Sequence, residues 1–130
     1  MQAGRQPAAC YTGAVLPTWQ RLYLAACSAV IGFAGAYAMA EYAGWPRLAY
    51  DPVARAFDVA RPPLGKLPIG FWGLVAWAVG GALVGAGFAL VAAARVRRPL
   101  SDRWLRLVGG WALTAAALTG LFETWNLWPF

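Results

Sequence analysis

The sequence predicts an all-α integral membrane protein with three transmembrane helices and a short amphipathic interfacial helix between the first and second. Three observations carry this reading. Ile69 to Ala94, IGFWGLVAWAVGGALVGAGFALVAAA, is free of charge and long enough to cross a bilayer with some tilt. Two further apolar stretches, about 22–42 and about 105–127, contain few charges. The 130-residue chain is 61% hydrophobic and only 12% charged, with a mean hydropathy of +0.52, which sets it in the membrane class. At this length a tail over 1–20 and one three-helix domain over 21–130 fill the chain.

Residues 1–20 are small, polar and punctuated by proline, and read as a flexible cytoplasmic tail. Trp19 and Arg21 then form a headgroup-level anchor pair ahead of the first span. Within that span Ala25, Ala29, Gly32 and Ala36 share one helical face, and Tyr23, Cys27, Tyr37 and Glu41 line the other. Ala38-Met39-Ala40 resembles a signal-peptidase site, but the apolar run is long for a signal sequence and reads as an uncleaved anchor. In the loop that follows, Trp45 and Tyr50 suit the interface. Asp51-Pro52 is a helix start, with Asp as N-cap and Pro at the first helical position. Val53, Ala56, Phe57 and Ala60 then repeat at helical spacing opposite Asp51, Arg55 and Asp58, and Pro62-Pro63 stops the pattern. This spacing predicts the surface helix over about 52–61.

In the second span, about 69–94, Ala78, Gly81, Ala82, Gly85, Ala89 and Ala92 share a face, with Trp72, Val79, Leu83 and Leu90 opposite. In lipid, small residues let two backbones approach closely, and Gly81-x-x-x-Gly85 is the usual form of that device. The link Arg95 to Arg103 is short and basic, and Ser101 or Asp102 can cap the helix that follows. With Arg106 it forms the positive segment that belongs in the cytoplasm, which puts the N-terminus inside and the loop and C-terminus outside. The third span, about 105–127, sets Gly109, Ala112, Ala116, Thr119, Gly120 and Glu123 on one face, opposite Leu107, Trp111, Leu118, Phe122 and Trp125. Trp104, Trp125 and Trp128 join Trp19 and Trp45 as interface anchors.

The net charge of +6 rests on arginines that flank apolar runs, with Lys66 the single lysine. It reads as topology signal and headgroup contact, not as a nucleic-acid surface. Histidine is absent, which removes bis-His haem ligation and His acid–base chemistry. Cys10 and Cys27 form no CxxC and are expected as free thiols. Ser28 and Ser101 have no neighbouring base, and the glycines lie inside spans, not in a phosphate loop. No catalytic, cofactor or metal site is therefore expected. Lipid or quinone contacts stay open, since eight Trp are present, but most lie at span ends where aromatic belts explain them. The intramembrane acids Glu41 and Glu123 stand near the outer ends of their helices. An ionised acid at mid-bilayer costs about 2.5–3.5 kcal/mol on insertion scales. Each therefore needs a cation, a hydrogen-bonding Trp or Tyr, or a proton.

Pro68-Ile69-Gly70-Phe71-Trp72-Gly73-Leu74 resembles the Pro-x4-Gly-Leu opening of a span in vitamin K epoxide reductase-type proteins, where a loop with a surface half-helix also precedes the span. The resemblance covers this motif and the topology. The chain departs from the family in having no redox cysteines in the loop or at the helix end, and no fourth span. The resemblance therefore implies no oxidoreductase activity.

The expected function is that of a non-catalytic small subunit in the bacterial inner membrane. It would pack against and stabilise a larger membrane protein complex, respiratory or photosynthetic in setting. Its partners would be other membrane subunits and lipids, not nucleic acid. The alternative is a small homo-oligomeric transporter or channel that uses Glu41 and Glu123. A membrane enzyme, or a cysteine-less relative of the vitamin K epoxide reductase-type proteins, comes third.

Overall fold

A computed structural model of the chain describes residues 16–51, 55–60, 67–68 and 70–127. The elements are α1 (Thr18–Tyr42), β1 (Arg47–Asp51), β2 (Ala56–Ala60), β3 (Leu67–Pro68), α2 (Gly70–Arg95) and α3 (Asp102–Leu127). Three stretches within the helices, Thr18–Tyr42, Gly73–Arg95 and Asp102–Trp125, are long and apolar enough to cross a membrane. At 1.5 Å per residue each exceeds the ~30 Å of bilayer hydrocarbon. Their outward side chains fit that solvent: Phe88 and Leu113 are each 75% exposed, which suits contact with lipid and not with water. The chain is a small helical membrane protein.

Helix α1 is the hub. It packs extensively on α2 and less extensively on α3, while α2 and α3 hardly meet among the described residues. The contacts fix the directions. Gly32 faces Gly81 and Ser28 faces Gly85, so α2 runs antiparallel to α1. Tyr23 meets Leu105 and Tyr37 meets Glu123, so α3 runs parallel to α1. The α1–α2 seam is close because side chains are missing from it. A Cβ on Gly32 would overlap the Gly81 carbonyl oxygen, one on Gly81 would overlap the Gly32 oxygen and the Ala36 methyl, and one on Gly85 would overlap the Ser28 oxygen. Such backbone approach is the main source of helix association in lipid, where apolar burial gives no drive. Towards the other end of the seam Tyr37, Ala40, Leu74 and Ala78 form a buried cluster, with Phe33 and Trp45 against it.

The end of α1 is sharply made. Trp45 N–H donates to the Ala40 carbonyl at 3.0 Å and Gly44 N–H to that of Glu41 at 3.3 Å. Gly44 sits at φ +58°. This is the Schellman pattern, in which the left-handed residue is almost always glycine. The turn sends the chain into the sheet.

The surface helix expected over about 52–61 does not form: the fold is built on three long helices, and the link between the first two carries a small sheet instead. The described part of that segment is strand β2, paired antiparallel with β1 from Arg47↔Ala60 to Asp51↔Ala56. Strand β3 flanks β1 on its other side, through Ala49↔Pro68 and Tyr50↔Leu67. Asp51, read as a helix N-cap, ends β1, while Pro52 lies outside the described residues. Two periodicities compete in this segment. Val53, Ala56, Phe57 and Ala60 recur at helical spacing, but Phe57 and Val59 also alternate as a strand does. A helix of roughly ten residues is marginal by itself, whereas β1 offers backbone partners and places Tyr50 and Leu48 opposite Phe57 and Val59. Arg55 closes the turn at φ +50°.

Candidate functional site

Polar side chains of α1 meet α3 and the link that precedes it at three places. At the arginine end, Gln20 is 5% exposed. Its Nε2 donates to the Leu100 carbonyl at 3.3 Å, and its Oε1 accepts from the Leu100 N–H at 3.0 Å. One amide thus satisfies both backbone groups of a link residue, which fastens the α2–α3 connection to the start of α1. One turn on, the Tyr23 hydroxyl donates to the Leu105 carbonyl at 3.1 Å. Gly109 makes room for it, since a Cβ there would overlap that hydroxyl.

Towards the sheet end, the Tyr37 hydroxyl donates to Glu123 Oε1. Tyr37 is 4% exposed, and its ring stacks on Phe33 with centroids 6.4 Å apart. A fixed hydrogen-bond donor offsets part of the cost of holding an acid in an apolar layer. Beside Tyr37 a groove of about 600 Å³ opens between α1 and α3, lined by Ala34, Tyr37, Thr119, Phe122 and Trp125 among others. Its lining is almost wholly apolar. The Thr119 hydroxyl is turned back onto the Ala115 carbonyl at 2.9 Å, so it offers no free donor to a ligand. The groove can accept an apolar chain, and the two hydroxyls in its lining, on Tyr37 and Thr119, are engaged by Glu123 and the Ala115 carbonyl.

The remaining sequence-predicted residues fall as follows. Gly32, Ala36, Gly81 and Gly85 lie in the α1–α2 seam, and Ala89 is buried on α2. Gly109 lies against Tyr23, whereas Ala116 and Gly120 are exposed on α3, with nothing near a Cβ on Gly120. Ala112, Ala115 and Thr119 take the inward positions instead. Glu41 is half-buried in the last turn of α1, one turn beyond Tyr37. Trp19, Trp104 and Trp125 are exposed. Trp45 meets Trp77 edge-on at 4.9 Å, and Trp77 Nε1 donates to the Pro46 carbonyl at 2.9 Å. That joint fixes the sheet on α2. Cys27 is buried and unbridged. Cys10 and most of the N-terminal tail, Lys66, Trp128 and the chain end lie outside the described residues.

Gln20 and Trp77 escaped the sequence reading, and Ser28, weighed there only as a nucleophile, lies with its carbonyl against Gly85. Gln20 could have drawn notice as an uncharged polar side chain beside a headgroup anchor, but its partner is 80 residues away. No family model, characterised protein or solved structure matches the chain.

Proposed function

We propose that the chain is a non-catalytic small membrane subunit that packs against and stabilises a larger membrane protein, through α3. In this reading it lies in a bacterial inner membrane with the N-terminus in the cytoplasm and the C-terminus outside. One observation carries it. Helix α3 is held by α1 and hardly at all by α2 among the described residues, which leaves Ala116 and Gly120 exposed, with open space where a Cβ on Gly120 would stand. Small outward residues allow a further backbone to approach. Gentle detergent purification with mass spectrometry tests it. The expected result is one membrane chain recovered at fixed stoichiometry, and lost when Gly120→Leu closes the approach. A ring of identical copies would overturn it.

The transporter reading draws on Glu123, an ionisable residue within a span. Its bond to Tyr37 supports a structural role instead. Glu123→Gln separates the two: intact complex recovery with lost proton or cation flux would favour transport.

A further inference from the structure

The charges of this chain are divided by end. Arg21, Arg95, Arg97, Arg98, Arg103 and Arg106 gather where α1 starts, α2 ends and α3 starts, and Asp102 is the one acid there among the described residues. In the sequence of the loop, by contrast, Arg47, Arg55, Arg61 and Lys66 are matched by Asp51 and Asp58, with Glu41 and Glu123 at the neighbouring helix ends. On the outward side of α3, just below this basic cluster, lies an open groove of about 310 Å³ lined by Arg106, Leu107, Gly110, Trp111 and Thr114. Gly110 makes it a notch, because nothing stands within 4 Å of the place its Cβ would occupy. Leu107 and Trp111 flank the notch and are largely exposed. The single hydroxyl below, on Thr114, is spent on the Gly110 carbonyl at 2.9 Å, so the floor asks for no polar partner.

We propose that this groove binds an anionic phospholipid of the surrounding bilayer. Arg106 takes the lipid phosphate, with Arg103 one turn nearer the headgroup level. One acyl chain runs down past Gly110 between Leu107 and Trp111. The occupant follows from two features that must hold together. A cation at the headgroup end demands an anion, and an apolar notch continuing into the membrane layer demands a chain attached to it. A soluble phosphate meets only the first demand and a neutral lipid only the second. The groove lies on the opposite side of α3 from Leu105 and Ala112, which are buried, so it competes with no contact inside the chain.

The test is lipid retention by the purified full-length protein, read by native mass spectrometry from detergent. The probes are phosphatidylglycerol, phosphatidylcholine with the same acyl chains, and glycerol phosphate without chains. Phosphatidylglycerol should be retained about fivefold or more over phosphatidylcholine, the fold-change a single basic side chain is worth at an anionic surface. Glycerol phosphate should not displace it. Arg106→Gln should abolish the preference while phosphatidylcholine binding stays as it was. Gly110→Leu should lower retention of both lipids by filling the notch. Arg97→Gln, in the link and away from the groove, should change neither. Equal retention of the two lipids by the wild type would overturn the proposal, as would a loss with Arg97→Gln equal to that with Arg106→Gln. All three positions are exposed, and helical circular dichroism of each variant confirms that the fold is kept.

Discussion

Glu123 takes its hydrogen bond from a tyrosine that is almost completely buried, and the cost of removing either partner differs from the cost of removing both. Glu123→Gln keeps an acceptor for the Tyr37 hydroxyl and should leave thermal stability in detergent nearly unchanged. Glu123→Leu removes the charged acceptor of that bond from an apolar layer, which should cost about 1–3 kcal/mol. Tyr37→Phe and Glu123→Leu together should cost less than the sum of the two single losses, since both remove the same bond. Simple additivity of the two single losses would show that the bond contributes nothing to the α1–α3 contact.

The elements divide by how their partners are specified. In the α1–α2 seam, Gly85→Leu drives a side chain into the Ser28 carbonyl and should lower stability by about 1–3 kcal/mol or more, whereas Leu83→Ile, on a residue 70% exposed, should be mild. Unfolding of both variants in the same detergent reads the difference. The spans were legible because a long charge-free apolar run has few other uses. That Gly81 and Gly85 share a face follows from spacing alone, but that they meet Gly32 and Ser28 needs the fold. The same limit hides the Gln20–Leu100 clamp and the Trp77–Pro46 bond, whose partners are remote in sequence. The loop misled for a different reason. Its capping signal at Asp51-Pro52 is a single-residue preference, whereas the sheet supplies β2 with backbone partners from the neighbouring β1 and β1 with partners from β3. Local propensity yields to such pairing in short segments.

At the scale of the whole molecule, the arginine end and the charge-balanced sheet end predict an orientation. A reporter inserted at Pro99 should read cytoplasmic, and one fused after Phe130 should read external; the reverse pattern would sink the charge argument. The arrangement of helices has a further consequence, for the order in which the protein comes into being. Since α2 and α3 both rest on α1 and scarcely on each other, nothing in the α1–α2 seam waits for α3. Helices enter the bilayer in chain order, so the first two can close as an antiparallel hairpin, glycine against glycine, while α3 is still being synthesised. Helix α3 then docks on a finished surface, guided at one end by Gln20 and Tyr23 and at the other by Tyr37. What docks last on few contacts also opens first. The third helix is thus the part of this molecule that can swing away as a unit, with the hairpin behind it undisturbed.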